Sequence, residues 1–365
     1  MKCAAALLGG LLLLSAHGWS QETQAEPSPV TPVPAKTKEP ETKAAPIERR
    51  PPHPNATSVE PVAGPLTKSG GEQSQPRNAG GEVGTIRVQT RLVNVALNVV
   101  DAHGAPVGGF DKKDFQLFED GKPQPIAVFE REATSPLSIV LAIDSSETVV
   151  TSERLERAAA KRFVRGILRD QDELDLMDFS DNVREIVPFT NQARRIEQGL
   201  GQMQRGEETA LYDAVFLASQ RLAATSQAAN RRRVLVLISD GGDSKHGERY
   251  DDAVEEAQRA GAMIFSIIIV PIASDAGRNT GGEHTLIQMS EDTGGKYYYV
   301  EDPADLEPAF RHVSDDLRTQ YLLGYYAPQA KGENTFRRIQ VKLTDPAKSD
   351  GYSLRYRTGY YADSK

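Results

Sequence analysis

The sequence predicts an α/β protein with a doubly wound, mostly parallel sheet and a small antiparallel β module. Two nearly continuous apolar runs, Leu137–Ile143 and Val234–Ile238, predict strands that are buried on both faces. Amphipathic segments with helical periodicity alternate with strand-like runs between residues 152 and 318, as in a sheet with helices on both sides. Outside this region apolar and polar residues alternate, which is typical of half-buried antiparallel strands.

Residues 1–20 have the composition of a secretory signal peptide. Lys2 gives a basic start, Ala4–Leu14 is an apolar run, and small residues allow cleavage after Gly18 or Ser20. The run of eleven residues is too short to span a bilayer, and no later segment has about 18 consecutive apolar residues. We therefore expect a protein that is exported to the periplasm or the extracellular space and has no transmembrane segment.

Residues 21–84 are expected to form a disordered, proline-rich tether. They contain twelve of the 22 prolines and no Phe, Tyr or Trp, so they bury too little apolar surface to offset the entropy of ordering. The segment is either a spacer that holds the folded part away from a wall or membrane, or an unselected tail. Cys3 is the single cysteine and would leave with the signal peptide, which excludes disulfides and cysteine-built metal sites.

The chain then forms an N-terminal β segment over residues 85–135. Strands are predicted at Arg91–Asp101, Phe115–Glu119 and Ile126–Phe129, and the last two flank a turn at Asp120-Gly121. A unit of this size is too small to be stable alone.

The α/β domain is predicted over residues 136–320, and a second β segment follows over residues 321–365. The predicted helices of the domain are Ser152–Leu168, Gln192–Met203, Leu211–Ala224, Asp251–Ala260, Leu286–Asp292 and Leu306–Arg318. Its further strands are Leu174–Phe179, Arg184–Phe189, Met263–Val270 and Lys296–Val300, and the second β segment has strands Tyr321–Tyr326, Arg337–Leu343 and Ser353–Tyr360. Because neither β segment is stable alone, we expect the two to pair into one sandwich-like module.

Oxygen-bearing side chains follow the two buried strands at their carboxyl ends. The first strand leads into Asp144, Ser146 and Thr148, the second into Asp240, and Thr209 opens a helix between them. Ligands of doubly wound sheets bind at the carboxyl ends of the strands. Two carboxylates and three hydroxyls are hard oxygen ligands, which suit Mg²⁺, Mn²⁺ or Ca²⁺.

These motifs resemble the von Willebrand factor type A domain with its metal-ion-dependent adhesion site, which has Asp-x-Ser-x-Ser, a later Thr and a later Asp. The resemblance covers about residues 136–320 and implies a Rossmann-like fold. It also implies two kinds of metal ligand: Ser146, Thr148 and Thr209 would bind the ion directly, and Asp144 and Asp240 would hold it largely through water.

The flanking segments resemble the exported bacterial VWFA-related family that is best represented in Acidobacteria. Its Asp-Phe-x-Leu-x-Glu-Asp-Gly motif is at Asp114–Gly121, and its Tyr-x-Leu-Gly-Tyr strand is at Tyr321–Tyr325. The chain departs from the adhesion-site pattern in having Thr148 for Ser, which keeps the hydroxyl. It also has Glu147 and the pair Glu207-Glu208 near the site, and these carboxylates would weaken binding of an acidic ligand or favour Ca²⁺ over Mg²⁺.

The resemblance implies binding through a metal ion to a protein partner that offers a carboxylate. We expect a non-enzymatic module for adhesion or cell-envelope assembly, with Mg²⁺ as the ion and Mn²⁺ or Ca²⁺ as alternatives. A formal net charge of −8 argues against nucleic acid as a partner, and nothing in the sequence indicates an oligomeric state. A metal-assisted hydrolase, or a structural domain with a degenerate and empty site, are the alternative hypotheses.

Overall fold

The computed structural model describes residues 91–131, 135–147, 153–225, 231–245, 247–270, 278–327 and 335–362. The predicted signal peptide and tether lie outside the described residues, so both stay predictions. None of the helices in the described part of the chain is both long enough and apolar enough to cross a membrane.

The described elements alternate between strands and helices in the middle of the chain and are mainly strands at its two ends. The strands are β1 Arg91–Val100, β2 Phe115–Glu119, β3 Lys122–Gln124, β4 Val128–Glu130, β5 Leu137–Asp144, β6 Glu173–Phe179, β7 Val183–Thr190, β8 Arg232–Ser239, β9 Ala262–Ile269, β10 Tyr297–Val300, β11 Tyr321–Ala327, β12 Thr335–Leu343, β13 Ser353–Tyr356 and β14 Gly359–Ala362. The α-helices are α1 Glu153–Ile167, α2 Ala193–Gly199, α3 Leu211–Ala224, α4 Tyr250–Ala260, α5 Thr280–Thr293, α6 Leu306–Arg318 and the single-turn α7 Pro346–Ser349.

The central sheet has six strands in the order β10-β9-β8-β5-β6-β7. All neighbours are parallel except β7, which runs antiparallel to β6 at one edge. Helices α1, α2 and α6 pack on one face and α3, α4 and α5 on the other, so every residue of β5 and β9 is buried. The sheet confirms the predicted doubly wound fold, and its strand order switches direction between β5 and β8.

Two four-stranded antiparallel sheets form the second module, with strand orders β13-β1-β11-β4 and β14-β12-β2-β3. They enclose one apolar core that includes Leu97, Phe115, Tyr321 and Val341. Each sheet combines strands from before and after the α/β domain: β1 pairs with β11, and β2 pairs with β12. The predicted sandwich built from both β segments is therefore present.

The predicted strand over residues 353–360 is wrong, because the chain forms two strands in different sheets. Strand β13 pairs with β1 and strand β14 pairs with β12, and the chain crosses between the sheets at Arg357-Thr358. At the crossing the Arg357 guanidinium donates to the carbonyl of Asn94 at 2.6 Å, and the Thr358 amide donates to the carbonyl of Asp292 at 3.3 Å. These contacts with distant residues interrupt an alternation that looks continuous in the sequence.

The hairpin around Asp120-Gly121 also differs from the prediction. The turn joins β2 to the unpredicted strand β3, whereas β4 leaves for the other sheet and pairs with β11. Both turn residues have positive φ, 47° and 77°, as the common two-residue hairpin turn requires. Strand β3 is Lys-Pro-Gln at a sheet edge, and such a short segment with a proline shows no strand pattern.

The carboxylate of Glu119 ties the two sheets of the sandwich together. It is 3% exposed and accepts hydrogen bonds from the Tyr325 hydroxyl at 2.5 Å and the Tyr360 hydroxyl at 2.9 Å. It also pairs with the guanidinium of Arg337. Strand β11 supplies Tyr325, whereas β12 and β14 of the other sheet supply Arg337 and Tyr360, so one carboxylate bonds to three strands besides its own.

We expect Glu119→Gln to lower the free energy of unfolding by about 1–3 kcal/mol, because it leaves a half-buried guanidinium without its counter-charge. Urea denaturation at neutral pH measures this change. The control is Glu291→Gln, which removes the charge of an exposed glutamate on α5 and should change the free energy by less than about 0.5 kcal/mol. Equal stability of the two variants would contradict the role given to Glu119.

A second buried carboxylate lies on β6 of the central sheet, next to the edge strand β7. Asp175 on β6 is 0% exposed and makes no hydrogen bond through its side chain in the described structure; Arg221 Nε lies 3.7 Å from its Oδ2. Burial raises the pKa of Asp175 to about 7, and the charge of Arg221 only partly opposes this shift. Arg221 also pairs with Glu185 on β7, so its charge has a second partner.

The raised pKa of Asp175 gives a defined pH dependence of stability. Between about pH 4 and pH 7 the folded protein keeps a proton that the unfolded chain has released, so this residue's contribution to stability falls as the pH rises. We therefore expect Asp175→Asn to be more stable than the wild type by about 1–3 kcal/mol at pH 8 and to lose this advantage towards pH 4. Urea denaturation at several pH values tests this expectation, with exposed Asp170→Asn as the control. An advantage that does not change with pH would contradict it.

Candidate metal centre

The candidate centre lies where β5 and β8 end side by side. The parallel register pairs Ile143 with Ile238, so Asp144, the last residue of β5, lies beside Ser239, the last residue of β8, and Asp240 follows it. This edge is the switch point of the sheet, because the connections from β5 and β8 leave in opposite directions. The side chains of Asp144 and Asp240 are almost fully buried, at 2% and 6% exposure.

Three hydrogen bonds hold the Asp144 carboxylate in one orientation. Its Oδ1 accepts from the Ser146 amide at 3.0 Å and from the Ser146 hydroxyl at 2.6 Å. Its Oδ2 accepts from the Ser239 hydroxyl at 2.7 Å. Sequence analysis missed Ser239, because a serine before Asp240 belongs to no motif and only the strand pairing brings it to Asp144.

Burial raises the pKa of the Asp144 carboxyl to about 6, and the nearby charge of Asp240 acts in the same direction. The hydrogen bonds from Ser146 and Ser239 oppose this shift because they stabilise the ionised form. At neutral pH the carboxylate is therefore charged and incompletely compensated by its neighbours. A cation beside it would stabilise this charge.

Asp240 is oriented by the turn that follows β8. Its Oδ1 accepts from the Gly242 amide at 2.8 Å, and the Gly241 amide donates to the Ser239 hydroxyl at 3.0 Å. Gly241 has φ +83°, and a Cβ there would lie 2.2 Å from the carbonyl oxygen of Gly282, so this turn requires glycine. In the described structure Oδ2 of Asp240 makes no hydrogen bond.

The loop that carries Thr209 joins the same site through backbone contacts. Ser146 and Gly206 form an isolated parallel bridge, in which the Glu147 amide donates to the Gly206 carbonyl at 3.1 Å. The Thr209 amide donates to the Ser244 hydroxyl at 2.8 Å, which ties this loop to the one after Asp240. Thr209 is 3% exposed, and its hydroxyl makes no hydrogen bond to any residue that the structure describes.

The structure thus places four of the five predicted ligands in three adjoining loops: Asp144, Ser146, Thr209 and Asp240. The fifth, Thr148, lies outside the described residues. No group of three or more His, Cys, Asp or Glu side chains suited to a metal occurs within the described ranges, so the candidate donors are carboxylates together with hydroxyls.

This donor set fits a hard divalent cation. Thr209 and Asp240 are nearly buried, and the Thr209 hydroxyl and the Asp240 Oδ2 have no hydrogen-bond partner among the described residues; such oxygens usually bind water or an ion. The Ser146 hydroxyl donates its proton to Asp144, and a hydroxyl oxygen is also a donor atom of the hard type. All these atoms are oxygens, which Mg²⁺, Mn²⁺ and Ca²⁺ prefer.

We expect Ser239→Ala to lower the free energy of unfolding by about 1–3 kcal/mol at pH 8, since it leaves Oδ2 of the buried Asp144 carboxylate without its donor. Urea denaturation in the presence of a chelator measures this effect apart from any metal. The matched control is Ser314→Ala, whose half-buried hydroxyl only donates to the Phe310 carbonyl of its own helix. A loss no larger than that of the control would contradict the positioning role of Ser239.

Comparisons with known proteins agree with this architecture. The family model for the von Willebrand factor type A domain matches residues 138–312, which include β5 to β10 and most of α6. No curated protein is similar enough to the chain to count as a match.

Similar solved structures include three from bacteria. The conserved hypothetical protein BatB from Bacteroides thetaiotaomicron is 17% identical, covers 49% of this chain and 98% of its own, and has a TM-score of 0.39. The vWF domain of the type V pili tip protein Mfa5 from Porphyromonas gingivalis is 15% identical over 50% of this chain and 94% of its own, with a TM-score of 0.40. The von Willebrand factor type A protein from Catenulispora acidiphila is 13% identical over 76% of this chain and 75% of its own, with a TM-score of 0.43.

The family match spans the domain that the six-stranded sheet and its helices build, from the second residue of β5 into α6. Residues 138–312 are therefore a von Willebrand factor type A domain.

Proposed function

We propose that the chain is an exported, non-enzymatic binding module that takes up a divalent cation at Asp144, Ser146, Thr148, Thr209 and Asp240. Through this ion it would bind an acidic side chain of a protein partner, in adhesion or cell-envelope assembly. The observation that carries the proposal is a pair of oxygens on nearly buried residues, the Thr209 hydroxyl and the Asp240 Oδ2, which make no hydrogen bond to any described residue and belong to the loops that adjoin the fixed carboxylate of Asp144.

The hydrogen bonds at the site suit the two aspartates to different roles in binding an ion. Asp144 already accepts three hydrogen bonds, so it is suited to contribute negative charge and to act through an intervening water. Asp240 uses one oxygen for the Gly242 amide and keeps the other for a ligand. The hydroxyls then provide neutral direct ligands, which leave the ion with much of its positive charge.

Mg²⁺ is the ion we propose, with Mn²⁺ and Ca²⁺ as alternatives. Mg²⁺ favours six oxygen ligands in near-octahedral geometry, is held by one or two carboxylates, and keeps several waters. The two aspartates and three hydroxyls leave room for such waters and for one ligand from outside. When bound, the ion supplies a positive charge and an exchangeable coordination position that a partner carboxylate can occupy.

The absence of catalytic motifs from the sequence supports a binding function. The sequence contains no His-Glu-x-x-His pair, no Gly-x-Ser-x-Gly nucleophile motif and no phosphate-binding loop that ends in Gly-Lys-Ser/Thr. Export is proposed from the signal peptide predicted over residues 1–20. The proline-rich segment over residues 21–84 would then separate the binding module from a surface.

Isothermal titration calorimetry of residues 21–365 with Mg²⁺, Mn²⁺ and Ca²⁺ tests the metal site. Thr209→Val removes the unpartnered hydroxyl and keeps the side-chain shape, so we expect an unchanged fold and at least a tenfold loss of metal affinity. Thr209→Ser keeps the hydroxyl and should bind nearly as well as the wild type. Metal binding should also raise the melting temperature of the wild type, and much less that of Thr209→Val.

Two results would contradict the proposed site. One is the absence of heat from the wild-type protein with all three ions. The other is equal affinity of the wild type and Thr209→Val, which would place the ion elsewhere. Unfolding curves recorded in chelator show whether the two Thr209 variants start from the same folded state.

A further inference from the structure

We propose that the metal site selects a partner segment in which a single acidic side chain is flanked by lysines or arginines. This inference rests on the proposed function and specifies the partner's chemistry. The side chains on the rim of the site are acidic. Because the bound group would itself be a carboxylate, an acidic rim would repel it unless the partner also carries positive charge.

Three glutamates form this rim, and each is within two residues of a proposed ligand. Glu147 follows Ser146, and Glu207 and Glu208 precede Thr209. All three are exposed, whereas the ligands beside them are buried. The Ser146–Gly206 bridge joins the two loops, so the three glutamates belong to one continuous edge of the site.

Backbone hydrogen bonds fix where the rim lies. The amides of Glu207 and Glu208 both donate to Oδ1 of Asp181, at 2.9 and 2.8 Å, and the Glu147 amide donates to the Gly206 carbonyl. Gly206 is closely packed, because a Cβ there would lie 2.6 Å from the Ser180 hydroxyl. The glutamate backbones are thus anchored to the loop over the site while their side chains extend into solvent.

The glutamates of the rim form no direct ion pair within the described structure. None of the three glutamates takes part in an ion pair with a described residue. Lys245 lies on the adjoining loop, but its ammonium donates to the Asp181 carbonyl and to Oδ1 of Asn182, 3.1 Å away. The rim therefore presents three exposed carboxylates to anything that approaches the site, and the charge of Lys245 offsets only part of theirs.

Thr209 and Asp240 are nearly buried residues, and within the described part of the chain the Thr209 hydroxyl and the Asp240 Oδ2 make no hydrogen bond, so these two oxygens would face an ion inside this rim. A divalent cation cancels the formal charges of Asp144 and Asp240, since +2 and −2 sum to zero. The three glutamates contribute a formal charge of −3 around the ion, and Lys245 on the adjoining loop reduces it to −2. A partner must supply one carboxylate to the ion and positive charge to the rim.

The charges of the partner residues next to the coordinating carboxylate would determine which partners bind well. The Debye length is about 8 Å at physiological ionic strength, so salt only weakly screens charges that are closer together than this. Residues that flank the coordinating carboxylate would therefore interact electrostatically with the rim. Lysines there would be attracted and further acids would be repelled, which changes both association rate and affinity. A purely basic segment lacks the carboxylate, so it would adhere weakly and without metal dependence.

Fluorescence anisotropy with labelled heptapeptides tests this selection, with full-length mature protein (residues 21–365) at saturating Mg²⁺. One peptide has a central aspartate between lysine pairs, and the others replace the lysines by alanines or by glutamates. We expect the lysine-flanked peptide to bind at least tenfold more tightly than the alanine-flanked one, and the glutamate-flanked peptide to bind most weakly. The preference should shrink when salt is raised from 50 to 300 mM.

Variants of the rim test whether the preference for flanking lysines comes from the rim or from the overall negative charge of the protein. The triple variant Glu147→Gln, Glu207→Gln and Glu208→Gln should still bind metal by calorimetry, but should lose most of the preference for flanking lysines. Its charge-matched control is Asp170→Asn, Glu291→Gln and Asp350→Asn, which changes three exposed acids outside the loops of the site and should keep the preference.

Failure of this proposal and failure of the metal site give different results. If metal binds but flanking lysines change peptide affinity less than twofold, the rim does not select and the proposal is overturned. The same holds if a lysine-rich peptide with a central asparagine binds as tightly as the one with aspartate, or if the rim variant keeps the full preference. If no metal binds, the proposed function itself is overturned, and this inference with it.

Discussion

The parallel pairing of β5 with β8 is the constraint on which the site depends. It sets Asp144 beside Ser239, so one strand end supplies a carboxylate and the other supplies the hydroxyl that orients it. Both strands are buried between two layers of helices, and a shift of register would move apolar side chains as well as the site. The hydrophobic core therefore fixes the strand ends that position Asp144 and lead into Asp240, and the loops between the elements carry Ser146 and Thr209.

The sandwich and the A domain are held together by buried polar groups in addition to apolar packing. Asp316 on α6 is 1% exposed; its carboxylate pairs with Tyr298 and lies 2.8 Å from Arg355 Nη2 on β13. Its carbonyl accepts from the Asn98 side chain on β1 at 2.8 Å. Inside the sandwich, the Glu119 carboxylate likewise accepts hydrogen bonds from several side chains. The junction between the two modules and the junction between the two sheets therefore each contain one buried carboxylate with several donors. Such groups stabilise a junction only when every partner is in place, which makes the relative position of the two modules specific.

The parts of the structure that were predicted correctly are those with a local pattern. The apolar run of β5 and the four-residue spacing of α1 are visible in the sequence, and the positions of Asp144 and Asp240 follow from where such strands end. The parts that were missed depend on distant contacts. Helix α5 begins at Thr280 despite Gly281-Gly282, because the Asn279 side chain caps it, accepting from the Gly282 amide at 3.0 Å. Likewise, only tertiary contacts show that Arg357 separates two strands.

The connections of the A domain determine how the protein would bear tension. The chain enters the domain after β4 and leaves it into β11, and these two strands are neighbours, with Phe129 opposite Leu323. A pull on the A domain would therefore load both strands from the same end. The load would pass from β11 to β1 as shear along a register that runs from Arg91–Ala327 to Leu97–Tyr321. Hydrogen bonds loaded in shear must break together, whereas peeling breaks them one at a time, so the sandwich would act as the mechanical anchor of the domain.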